Sequence, residues 1–267
     1  MTRSGYAEVD DLRMYYEIHG DGAPLVFLHG AYMTIDSSGP IIPGLAETRE
    51  VIAFELQGHG RTADVDRPVT YEGMADDAAA ALRGLGYEQL DVVGFSMGGG
   101  VALQFALRHP ELVRRLVLIS SGYRYDGMPA EAIEMFPSIT PEMFAGSPME
   151  EEYKRLAPDP DEFPTLVWKL KELDTTDFAW PEDDVRGIAA PTLIIVADSD
   201  VVRVEHAVEL FNLRGGGVFG DLAGLPEAQL AVLPGTTHFN PPGSGVMDRL
   251  DLVLAFIRPF LDPPESA

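Results

Sequence analysis

Short apolar runs alternate along the chain with longer stretches whose apolar residues recur at helical spacing. That is the pattern of a sheet covered by helices on both faces. Residues 4–9 and 11–18 read as an opening pair of strands joined by a tight acidic turn. Buried-type runs follow at 24–28, 51–54, 90–93 and 116–119. Between them, 71–85 carries Met74, Ala78, Ala81, Leu82 and Leu85 at helical spacing, and 97–107 reads as a second helix closed by Pro110. After Ser121 the rhythm stops. Residues 122–186 are rich in Pro, Met, aromatic and acidic side chains with no convincing buried strand, which predicts a helical insertion over the sheet. Alternation resumes with a strand at 191–196, a helix near 203–213 and a strand at 229–233. The three glycines Gly215, Gly216 and Gly217 mark a loop between the last two. A final helix spans about 245–260, ended by Pro259 and the Pro263–Pro264 pair. The expected fold is α/β: a mostly parallel sheet flanked by helices, with 1–121 and 187–267 as one core domain and 122–186 as a helical cap.

Composition narrows the function. At 267 residues, 46% hydrophobic, the chain is long enough for a large core. Acidic residues outnumber Lys and Arg by 43 to 19, a formal charge of -24, which repels phosphate backbones and anionic membranes; no nucleic acid is expected as partner. The chain has no cysteine, which excludes disulfides, thiolate metal sites and a Cys nucleophile. The first eight residues lack the apolar core of a signal peptide, and no stretch approaches the roughly eighteen apolar residues of a spanning helix. A cytoplasmic protein with no membrane insertion is the expectation, its oligomeric state open.

The candidate chemistry starts at Gly94-Phe95-Ser96-Met97-Gly98, a G-x-S-x-G between the 90–93 strand and the helix that begins at Met97. A nucleophile on a sharp strand-to-helix turn needs small neighbours, and Gly94, Gly98 and Gly99 supply them. The turn lifts the Ser96 hydroxyl clear of the sheet and aims the first helix amides at the site where an oxyanion would form. A serine hydroxyl needs a base and an orienting carboxylate. His238 lies just after the last apolar strand, where a sheet-end loop carries an imidazole over Ser96. Asp198 and Asp200 both stand at the carboxyl end of the 191–196 strand, and position alone does not separate them. The remaining histidines have plainer expected roles: His206 solvated on a helix, His109 at a helix end. No histidine pair has metal spacing, and no nucleotide-binding glycine pattern is present, so neither metal nor cofactor is implied.

With these residues in view, the chain resembles the α/β-hydrolase family over nearly its whole length, in a serine esterase or lipase-like or cofactor-free haloperoxidase-like branch. His29-Gly30 after the 24–28 strand looks like that family's oxyanion loop, and the match implies Ala31 and Met97 as amide donors. Gly58-His59-Gly60-Arg61-Thr62 resembles its G-x-G-x-[ST] turn. The alignment of 191–200 implies Asp200 as the triad acid, with Asp198 the second choice because Ala197 stands where the family usually has Gly. His29 and His59 are implied as wall residues that take no proton from substrate.

The reading that follows is acyl transfer with Ser96 as nucleophile, His238 as base and Asp200 as its partner. A serine at position 96 excludes the alkyl-ester chemistry of relatives that use Asp there. Tyr32 and Met97, with aromatic residues of the insertion such as Phe136 and Trp168, and Phe239 beside the base, are the expected pocket. The expected substrates are small to medium uncharged or apolar esters or lactones, with water as co-reactant. Two other readings remain open: the same triad applied to perhydrolysis, amide or carbon–carbon bonds, and a ligand-binding receptor with little turnover.

Overall fold

This computed structural model of the chain describes residues 2–263, so Pro264 of the expected terminal proline pair lies outside the described residues. Eight strands form one sheet: β1 (Arg3–Val9), β2 (Leu12–His19), β3 (Ala23–Leu28), β4 (Arg49–Phe54), β5 (Leu90–Phe95), β6 (Val113–Ile119), β7 (Thr192–Ser199) and β8 (Ala228–Thr237). They lie in the order β1-β2-β4-β3-β5-β6-β7-β8. The opening hairpin and the β2–β4 pair are antiparallel. All other neighbours are parallel. The continuous apolar runs follow from this, because a parallel strand covered on both faces has no solvent side; every residue of β5 is buried.

The helices are α1 (Ile41–Ala46), α2 (Tyr71–Gly84), α3 (Met97–Arg108), α4 (Ala130–Met135), α5 (Pro148–Leu156), α6 (Phe163–Thr175), α7 (Glu182–Gly187), α8 (Val204–Leu213), α9 (Gly220–Ala223) and α10 (Leu250–Leu261). Alternate residues of each central strand serve opposite core layers. Val26 and Leu28 pack with Met74, Ala78 and Leu82 of α2 and with Val101 and Phe105 of α3. Leu25 and Phe27 pack with Ile41 and Leu45 of α1 and with Val253 and Ile257 of α10. Leu166, Val167 and Leu170 of α6 join the first layer, so the stretch between β6 and β7 is fused to that face of the sheet. Its extended backbone is confined to a single bridge between Arg124 and Ala179. No helix among the described residues is long and apolar enough to cross a membrane.

The last helix departs from expectation. Residues 246–248 form a 3₁₀ turn and α10 begins only at Leu250. Pro259 lies inside the helix and does not end it. Close to the carboxyl end, proline forfeits one backbone hydrogen bond, and the burial of Phe260 and Leu261 carries the helix past it.

Candidate active site

From β3 the chain crosses to β4 on one side and then returns to β5 on the other, so the loops leaving β3 and β5 diverge at the carboxyl edge of the sheet. Such a reversal of strand order opens a crevice where ligands bind. Ser96 follows β5 there, with φ 55° and ψ -121°. A non-glycine residue in that region is strained, and its surroundings hold it. The Ser96 amide donates to the Ile119 carbonyl at 2.9 Å, while the Ser96 carbonyl accepts from the Gly99 and Gly100 amides at 2.8 and 3.2 Å. Glycine is required around it because backbones meet. A Cβ on Gly94 would sit 2.1 Å from the Gly98 carbonyl oxygen, and one on Gly98 2.1 Å from that of Leu28.

The β7–β8 pairing brings the other two groups together. Ser199 is in register with Thr237 after a shift in the ladder, so the next residues, Asp200 and His238, emerge side by side. His238 Nε2 lies 2.8 Å from Ser96 Oγ. Its Nδ1 donates to Asp200 Oδ1 at 2.7 Å. The imidazole stacks on Phe95, with ring centroids 5.2 Å apart. Asp200 also accepts from Ser120 Oγ (2.5 Å) and from the amides of Ala197 and Val201 (both 2.8 Å). Burial works against its charge, but the bonds from His238, Ser120 and Ala197 outweigh it and hold the carboxyl below its ordinary range. Asp198 is elsewhere: it accepts the Gly235 and Thr236 amides at 2.8 and 3.1 Å, shaping the end of β8 without reaching the imidazole.

The loop after β3 closes the other side. His29 Nδ1 donates to the Gly30 carbonyl at 2.8 Å and its Nε2 accepts from the Leu56 amide at 3.1 Å. His59 Nδ1 donates to the Gln57 carbonyl at 2.9 Å, and its Nε2 accepts from the Tyr32 amide at 3.3 Å. Each ring thus uses one donor and one acceptor as a neutral imidazole. Burial pushes His29 down to about 3 and His59 to about 4, which keeps both uncharged at neutral pH. These bonds fix Tyr32 at φ 62° and hold the loop. Among the described residues, the Ala31 and Met97 amides donate to no backbone carbonyl, and both residues border the cavity above Ser96. Two free amides at a helix start and a loop are the elements that stabilise an oxyanion.

That cavity has a volume of about 760 Å³ and lies between the sheet edge and the 122–186 stretch. Tyr32, Phe136 and Phe239 line it. Trp168 does not, correcting the expected pocket: it is 48% exposed on the outer face of α6, with Lys171 Nζ 5.1 Å from its ring centre. Helical geometry explains the miss, because the buried stripe of α6 runs through Val167 and Leu170, and the next residue points away. His206 is also corrected. It is buried, accepts from the Tyr123 amide at 3.2 Å and stacks on the Tyr123 ring at 4.6 Å. It shares the inner stripe of α8 with Ala207 and Leu210. His109, at the end of α3, contacts Asp76 at 2.8 Å. Ser120, which has φ 53° directly after β6, is outside the expected site residues; a polar residue at the carboxyl end of a buried strand is the one signal for it in the sequence. Among the described residues no group of three or more His, Asp or Glu could hold a metal ion.

The family described as alpha/beta hydrolase fold matches residues 23–172. A putative carbamate hydrolase from Azorhizobium caulinodans is 27% identical over 87% of this chain and 91% of its own length. A 2-hydroxymuconate semialdehyde hydrolase from Pseudomonas sp. is 41% identical, over only 38% of each chain. Among solved structures, one described as Est816, an N-acyl homoserine lactone degrading enzyme, superposes with a TM-score of 0.70 at 27% identity, covering 96% of this chain and 100% of that one.

Proposed function

Since this chain belongs to the α/β hydrolase fold family, we propose that it cleaves small to medium carboxylic esters or lactones through an acyl-enzyme intermediate on Ser96. One observation carries the reading: the unbroken path from Ser96 Oγ to His238 Nε2 (2.8 Å) and from His238 Nδ1 to Asp200 (2.7 Å), opening on an apolar cavity. His238 takes the hydroxyl proton as Ser96 Oγ attacks the carbonyl carbon. Asp200 fixes the imidazole tautomer and offsets its positive charge. The Ala31 and Met97 amides bind the oxyanion, where one donor is worth about 3 to 4 kcal/mol of transition-state stabilisation. His238 then gives its proton to the departing alcohol oxygen. Water, deprotonated by the same imidazole, attacks the acyl carbon and releases the acid while the proton returns to Ser96. Residues 122–186 act as a cap that excludes bulk water and sets acyl length. The only partners required are a small-molecule substrate and water, in the cytoplasm.

Likeness to a lactone-degrading structure supports the lactone part of the range. Likeness to a putative carbamate hydrolase makes carbamates the first competitor, because their carbonyl is attacked by the same geometry. A fluorophosphonate probe tests the nucleophile: rapid labelling of the wild type and none of Ser96→Ala is expected. A panel of p-nitrophenyl esters graded by acyl length, with a lactone, a carbamate and an ester-plus-peroxide arm, tests the bond. Higher turnover of the carbamate, or of the ester only with peroxide, would replace the ester assignment. Labelling without turnover would favour a receptor.

A further inference from the structure

Asp174, in the last turn of α6, borders the same cavity, yet burial is the one influence acting on its carboxyl, which it drives up to about 7. Among the described residues no protein group hydrogen-bonds to it or pairs with it. The other two carboxylates on the cavity among the described residues are engaged, Asp248 by the Gly243 and Gly245 amides and Glu152 by Arg155. The cavity's one Arg or Lys among the described residues, Arg124, is ion-paired with Asp126 and Glu209 at 2.8 and 2.7 Å. Lys171, one turn back on α6, reaches over Trp168. Asp174 also stands at the carboxyl end of its helix, where the backbone favours positive charge. A leucine there would pack at lower cost.

Asp174 shares the cavity with the aromatic side chains of Tyr32, Tyr71 and Phe178. Its charge adds to burial in raising the phenol pKa of both Tyr32 and Tyr71. The Tyr32 hydroxyl is buried without a partner among the described residues. Tyr71 packs against Phe178 and Trp180, with centroids 5.3 and 5.6 Å away, and Gly100 makes room for its ring. A partly buried carboxylate sharing a cavity with electron-rich rings is complementary to an organic cation. The charge of -24 draws such cations toward the molecule.

We propose that Asp174 and the ring faces of Tyr32 and Tyr71 form a subsite for an organic ammonium group, so that the preferred substrate is an ester carrying a protonated amine or quaternary nitrogen. This rests on the acyl-transfer reading for the substrate class, although the subsite itself can be tested without catalysis, and it replaces the uncharged substrates expected from the sequence. Phenyltrimethylammonium is titrated calorimetrically into the wild type, Ser96→Ala and Asp174→Asn. Equal binding to the first two and at least about tenfold weaker binding to the third is expected. In parallel, kcat/KM is compared for butyrylthiocholine and its uncharged isostere 3,3-dimethylbutyl thiobutyrate. The wild type should favour the cation by about tenfold, and Asp174→Asn should bring the ratio to within about twofold through loss on the cationic ester alone. No binding to the wild type, binding unchanged in Asp174→Asn, or equal use of the two esters by the wild type overturns the subsite. Asp174-dependent binding in a protein that hydrolyses neither ester and escapes the fluorophosphonate leaves the subsite standing and sinks the acyl-transfer reading instead.

Discussion

Two regions around one cavity treat their charged groups in opposite ways. At the carboxyl edge of the sheet, both oxygens of Asp200 are shared among His238, Ser120 and two backbone amides. On α6, Asp174 borders the cavity with no hydrogen-bond or ion-pair partner among the described residues. Groups that must act in a transition state are best fixed beforehand, so that no reorganisation is left for the moment of reaction. A group that recognises a ligand must keep its bonding capacity unspent until the ligand arrives, and the folded protein carries the cost meanwhile.

The sharpest way to break this contrast is at the acid. Asp200→Asn should lower kcat/KM by about 10³ to 10⁴, whereas Asp198→Asn, which loses only two loop amides, should stay within about tenfold. Ester kinetics on the two variants decide it, and the reverse ranking would transfer the acid role to Asp198. Next comes stability. Between about pH 4 and 7 the folded Asp174 keeps a proton that the unfolded chain has released, so this group's contribution falls as pH rises through that window and is flat above it. Asp174→Asn should therefore be more stable than the wild type by about 2 kcal/mol at pH 8, with the gap closing toward pH 4 in urea melts. Ser120→Ala should cost about tenfold in kcat with little change in KM. Losing one of the bonds that lower the Asp200 pKa, it should also move the acid limb of the rate profile upward. Last, Trp168→Ala should leave the ester length profile within about twofold, because the ring faces solvent.

The parallel strands and the strand-to-helix corner at Ser96 were legible because each has a local cause. A run such as 90–93 is apolar on both faces whatever its neighbours, and a glycine is needed wherever backbones close to about 2 Å of a would-be Cβ. Strand position left Asp198 and Asp200 unseparated and only the family resemblance favoured Asp200, since both sit at the end of β7 and it is the register shift before Ser199 that aims one at His238. Trp168 and His206 misled for a related reason: an aromatic or polar identity says little until the helix phase is known. The same phase contained a usable signal. Asp174 lies seven residues after Val167 and four after Leu170, on the stripe where an apolar residue belongs.

The chain's own pattern determined an α/β sheet, a serine bent out of a strand-to-helix corner, and a histidine and aspartates at later strand ends, because periodicity and glycine placement are properties of neighbouring residues. Only the folded arrangement decided which aspartate meets the imidazole, which histidines are sealed away uncharged, and that a carboxylate from α6 borders the cavity with no partner among the described residues. Those outcomes depend on strand register, helix rotation and burial, which arise between segments far apart in sequence.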